Sequence, residues 1–121
     1  MTTSPSPAQS KGRVFEMRTY TTHPGRLDAL QARFRNHTTK LFEKHGMSNI
    51  GYWTPQDEPL SKNTLIYVIS HKTREDAKKS WDAFRADPDW QKAQKASEAD
   101  GKIVLKVESV FMDATDYSKI K

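Results

Sequence analysis

The stretch VFEMRTYTTHPG, Val14 to Gly25, decides how the rest of the chain is read. It has the composition of a first β-strand, and because successive strand side chains point to opposite faces, it has two differently dressed sides. Phe15, Met17 and Thr19 form one set, suited to a packed core. Glu16, Arg18 and Tyr20 form the other, too polar for a sealed core and too bulky or paired for a merely solvated surface. A strand of this kind implies a layer on each side of one sheet. His23-Pro24-Gly25 stops the extended pattern, and Pro24 stands near the first turn of a helix, where a missing N–H costs nothing.

Working outward, Leu27, Leu30, Phe34, Leu41 and Phe42 recur at three-and-four spacing and predict a first helix, with Arg26, Arg33, Arg35, Lys40 and Lys44 mostly off the apolar stripe. Lys44 and His45 complement the last carbonyls, and Gly46 supplies a left-handed end. Residues 47–54, MSNIGYWT, read as a short strand, followed by a polar loop to Asn63. Leu65 to Ile69 is an unbroken apolar run, the pattern of a strand covered on both faces. Thr73 with Asp76 opens a second helix whose stripe is Ala77, Trp81 and Phe84. That helix breaks at Asp87-Pro88, where Asp87 caps a new one and Gly101 ends it. The last strand, residues 103–112, puts Ile103, Leu105, Val107 and Phe111 on one face and Val104, Lys106, Glu108, Val110 and Met112 on the other.

Strand, helix, strand, strand, helix, strand predicts an α+β, ferredoxin-like βαββαβ unit with a four-stranded antiparallel sheet, its first and last strands adjacent and its helices on one face. Phe15, Met17, Leu105, Val107 and Phe111 are expected to meet the helices. Glu16 and Arg18 are expected on the second face, paired with Lys106 and Glu108 of the neighbouring strand. Because that face also carries Val14, Tyr20, Val104, Val110 and Met112, it needs cover. A second copy stacked sheet on sheet about a two-fold axis supplies it, giving a homodimer. The alternative is a monomer with one wet face.

The 121 residues fit one domain, expected over residues 13–113 between a disordered Ser/Pro/Thr-rich tail, residues 1–12, and a polar C-terminal tail, residues 114–121. The first twelve residues lack the apolar core of a secretory signal. The net charge of +5, from 20 Lys+Arg against 15 Asp+Glu, is spread over the helices, which reads as a solvated basic surface and not as a nucleic-acid footprint. No apolar run approaches the roughly 18 residues of a membrane span. The absence of cysteine removes disulfides, thiolate metal sites and cysteine nucleophiles together, and fits a reducing, cytoplasmic location.

Four pieces in order carry a resemblance. EMRTYTTHPG (Glu16 to Gly25), HGMSNIGYWT (His45 to Thr54), Asn63 with the Tyr67-bearing strand, and WDAFRADPDW (Trp81 to Trp90) resemble the NIPSNAP domain over nearly everything from Val14 to Met112. The resemblance implies a ferredoxin-like fold of the dimeric α/β-barrel superfamily. Animal members are associated with mitochondria and vesicle traffic, whereas small single-domain members are mostly uncharacterised. The wider superfamily includes cofactor-free monooxygenases, isomerases, cyclases and haem-degrading enzymes that use a pocket between sheet and helices, an analogy of fold alone.

Candidate site residues follow. His37 lies at the margin of the first helical stripe, three residues after Phe34 and four before Leu41, and is the candidate general base or haem ligand; the plainer reading is an imidazole satisfied by a backbone carbonyl. Tyr20, Tyr52, Trp53 and Tyr67 can line a small-molecule pocket with aromatic walls and hydroxyl donors, or simply be core. Arg18 with Glu16 can hold a ligand carboxylate, or form an ion pair. Trp81 and Trp90 read as core packing. His23, His45 and His71 lack the spacing of a metal site, so no metal is predicted. Neither a glycine-rich phosphate loop nor a nucleophile elbow is present. No cofactor is predicted, and haem has no motif in its favour. The expected function is a homodimer binding a small apolar or aromatic molecule between sheet and helices, with or without cofactor-free chemistry; the alternative is a non-catalytic protein-interaction or scaffolding module.

Overall fold

The computed structural model describes residues 12–121, so the tail expected over residues 1–12 lies, save its last residue, outside them. Four strands, β1 (Val14–Thr22), β2 (Ser48–Trp53), β3 (Thr64–His71) and β4 (Val104–Met112), form one antiparallel sheet in the order β2-β3-β1-β4. Two crossovers lead from β1 to β2 and from β3 to β4, and both lay their helices on the same face. This is the α+β ferredoxin-like architecture read from the sequence.

The first crossover is one helical rod over residues 27–44 in three parts: α1 (Leu27–Arg33), a π-helical turn (Phe34–Thr38) and α2 (Thr39–Lys44). The turn has a local cause. Thr38 and Thr39 donate their hydroxyls to the carbonyls five residues back, Arg33 O at 3.3 Å and Phe34 O at 3.1 Å, and such bonds compete with the regular ladder. Gly46, at φ 85°, ends the rod in the left-handed region that an ordinary side chain avoids. The second crossover comprises α3 (Arg74–Ala86) and α4 (Pro88–Ser97). Thr73 Oγ1 accepts from Asp76 N at 2.9 Å and Asp87 Oδ1 from Asp89 N at 2.8 Å, so both expected caps form.

The core lies between these helices and the sheet. Phe42 is fully buried, with the rings of Phe84, Trp81 and Tyr67 at centroid distances of 5.1, 5.3 and 5.8 Å. Each such side chain contributes about 1.5–3 kcal/mol by leaving water.

The assignment of faces is corrected. Register puts Glu16, Arg18 and Tyr20 of β1 beside Ile69, Tyr67 and Leu65 of β3 and Phe111, Ser109 and Val107 of β4, and it is this face that the helices cover. Met17 and Thr19 instead pair with Val110 and Glu108 on the far face. Lys106 and Glu108 are therefore not partners of Glu16 and Arg18. The polar set goes under the helices because it finds hydrogen-bond partners there, which removes the penalty that made a sealed face look unsuitable. On the far face the C-terminal tail lies beside Phe15, Val68 and Met112, and Lys121 O accepts from Arg13 Nε at 3.0 Å.

Candidate functional site

Two features share the covered face, and Tyr20 joins them. The first is a polar network around Glu16, whose side chain is 2 % exposed. One carboxylate oxygen accepts from His71 Nε2 and Trp81 Nε1, both at 2.9 Å. The other accepts from Ser109 Oγ at 2.6 Å and Arg18 Nη1 at 3.0 Å. Burial alone would push the Glu16 carboxyl up, but the hydrogen bonds from His71, Ser109 and Trp81, with the charge of Arg18, lower it to about 2. Glu16 is thus locked as a carboxylate. Because a carboxylate only accepts, His71 donates through Nε2, and its Nδ1 is left buried without a partner.

Arg18 runs from this carboxylate to the tyrosines. Its Nε donates to Tyr67 Oη at 2.9 Å and Nη2 to Tyr20 Oη at 3.3 Å, while its Cζ lies 4.2 Å from the centre of the Trp81 ring. Burial works against its charge, but the Tyr20 and Tyr67 oxygens and the Glu16 carboxylate outweigh it and hold the guanidinium firmly protonated. Tyr20 and Tyr67 hydroxyls lie 3.1 Å apart. Burial raises the Tyr67 phenol, and likewise that of Tyr52, which stacks on Tyr67 at 5.0 Å and donates to Asn49 Oδ1 at 2.6 Å. The Tyr52 and Tyr67 phenols are therefore neutral at any ordinary pH.

The second feature is a cavity of about 200 Å³ between the helical rod, α4 and the sheet. Phe34, Phe42, Phe84 and Trp90 form its walls, with Val107 of β4 at its rim. Its polar atoms come from Tyr20, Arg33, Thr38 and Gln94. Arg33, Phe34 and Thr38 all sit at the π turn, so the irregular turn is what presents them to the cavity.

The predicted residues divide accordingly. Arg18, Tyr20, Tyr52 and Tyr67 come together under the helices, and of these Tyr20 lines the cavity. Trp53 does not join them: it is 54 % exposed on the opposite face, where its indole folds over Gly51 so closely that a Cβ there would lie 2.5 Å from the ring. His37 is exposed on the helical rod and is not among the residues that line this cavity. This cavity does not fit haem, since its volume of about 200 Å³ is smaller than the macrocycle and its lining includes no histidine. Sequence reasoning missed Arg33, Ser109 and the role of His71. For Arg33 a signal existed: it stands three residues after Leu30, within the stripe, and is buried, where the reading above placed it mostly outside.

The fold and the cavity define a class, an α+β ferredoxin-like domain with a small aromatic chamber between its sheet and its helices. Residues 15–119 match the NIPSNAP family, and the chain belongs to it. The match runs past Met112 into the tail that packs on the far face. A NIPSNAP family protein of unknown function from Agrobacterium tumefaciens is similar, with a TM-score of 0.78 and 18 % identity over 92 % of this chain and 96 % of that one. An uncharacterised NIPSNAP-like domain protein from Burkholderia xenovorans gives 0.75 and 17 % over 89 % and 90 %. SnoaB, a cofactor-independent oxygenase from Streptomyces nogalater, shares the fold at 0.57 and 12 % over 90 % and 98 %. No curated protein sequence matches the chain.

Proposed function

We propose that this NIPSNAP domain is a homodimer that binds a small aromatic or apolar molecule in the cavity between sheet and helices. The observation that carries the reading is the chamber itself, about 200 Å³ walled by Phe34, Phe42, Phe84 and Trp90 and holding the Tyr20 hydroxyl. Apolar walls with a few placed polar groups are the usual composition of a small-molecule site, and this volume suits a ligand built on a single ring. SnoaB is described as an oxygenase, but the described residues that line the present cavity include no carboxylate and no imidazole, and His71 is tied to Glu16. Binding is therefore favoured over chemistry that begins with proton abstraction. Pairing of two copies through the far face is supported by Val110, half exposed there, and by the apolar groove beside Phe15 and Trp53.

A thermal-shift screen of single-ring aromatic compounds tests the reading, with Gln94→Trp as the control. Gln94 is exposed at the cavity, so the indole fills the chamber without overpacking the core. Compounds that raise the melting temperature of the wild type should lose their effect on this variant. Hits that stabilise both proteins equally would place the ligand elsewhere. Light scattering tests the dimer, and a monomer at micromolar concentration would end that part of the proposal.

A further inference from the structure

We infer that the ligand is an anion, a small aryl carboxylate whose acid group meets Arg33. The inference rests on the cavity reading above and adds the charge. Arg33 lines the chamber with a side chain only 3 % exposed. Its Nη1 donates to Ser97 Oγ at 3.2 Å, its one facing carboxylate is Glu98 at 3.7 Å, and its Nε is buried with no partner. Buried N–H groups are nearly always paired, so a guanidinium nitrogen left open beside a cavity calls for an acceptor.

The local charge has the same sign. Arg26 stands close behind, its Nη2 donating to Ser97 O at 3.2 Å and Gly101 O at 3.0 Å, and its Nε too is buried and unpaired. Among the described residues, Glu98 is the one carboxylate paired with either guanidinium, so positive charge is in excess at the site. Burial, with a smaller contribution from Arg26, lowers the Arg33 pKa, and a bound anion would reverse that. The Arg33 plane is also held in place, its Cζ 5.1 Å from the Trp90 ring centre. The π turn adds an independent pointer, because such turns recur at functional sites and this one presents Arg33, Phe34 and Thr38 together. Aromatic walls select an aryl body, and a guanidinium edge matches a carboxylate in plane.

Calorimetric titration of the full chain with benzoate and phenylacetate, each against its neutral amide, tests the inference. The acid should bind at least about tenfold more tightly than the amide, as expected for a charge-assisted hydrogen bond. Raised salt should weaken the acid and leave the amide unchanged. Arg33→Gln should bring acid and amide to the same affinity, with the melting temperature reporting that the variant is folded. Equal affinities of acid and amide for the wild type would overturn the inference while leaving the cavity reading intact, and this comparison needs no variant. A preference for acid that survives in folded Arg33→Gln would remove Arg33 from the role. No binding by any of the four probes, with no hit in the aromatic screen, would overturn both.

Discussion

The two faces of the sheet invert the usual association of polarity with exposure. The covered face carries a glutamate, an arginine and a histidine, all buried or nearly so, whereas the far face leaves Val110 half exposed and Trp53 more so. What decides is whether each group finds a partner. Glu16 accepts four hydrogen bonds from four side chains, so its desolvation is offset, and Arg18 is shared among a carboxylate, two hydroxyls and a ring. Among the described residues, the far face is packed by the C-terminal tail beside Phe15, Val68 and Met112, while Val110 and Trp53 stay exposed.

The comparison breaks first at Glu16. Glu16→Ala strands the Arg18 charge and three donors in a buried site, and should destabilise the protein by about 3–5 kcal/mol in urea unfolding. A loss below about 1 kcal/mol would mean that water reaches the network and the face is not closed.

Acid acts on the same group with a slightly smaller effect. The folded-state value of Glu16, about 2, lies below the ordinary carboxylate range, so its contribution is fully present above about pH 5 and is lost as pH falls toward 2. The contribution is about 3 kcal/mol, and unfolding curves collected across that window should fall by this amount more in the wild type than in Glu16→Gln. Parallel curves would contradict the assignment.

Tyr67→Phe is milder. It removes the hydroxyl that bonds Arg18 Nε and Tyr20 but keeps the ring that stacks on Tyr52, and about 1–2 kcal/mol of stability should go with it. On the far face, Val110→Lys should change the unfolding free energy of the protomer by no more than about 0.5 kcal/mol, as surface substitutions do. Sedimentation should nonetheless show the dimer dissociating, because the change places a charge on each copy at the proposed interface.

Much of the fold was legible because it rests on local signals. Element order, the Thr73 and Asp87 caps and the Gly46 terminus each follow from a few adjacent residues. Which face of β1 the helices cover was not legible, because alternation separates the two sets without saying which is inside, and Glu16 and Arg18 look exposed until their distant partners His71, Trp81 and Ser109 are seen. The π turn was hidden for a related reason: the helical periodicity continues across it, and only the adjacent Thr38 and Thr39 hint at competing hydrogen bonds. Of the candidate residues, Arg18, Tyr20, Tyr52 and Tyr67 do gather on one face, though under the helices and not on the second face where Arg18 and Tyr20 were expected, and of them Tyr20 lines the cavity. His37 and Trp53 lie away from the cavity, His37 exposed within the π turn and Trp53 on the far face by the parity of β2, neither of which helical or strand periodicity settles alone.

The claim that the covered face holds the ligand site is tested most directly by mapping fragment binding in amide NMR spectra of the full chain. The account predicts that single-ring aromatic fragments perturb residues 33–42 and 84–94, together with Tyr20 and Val107, which surround the cavity. Perturbations gathered instead at residues 50–53 and 112–120, around the groove on the far face, would contradict it.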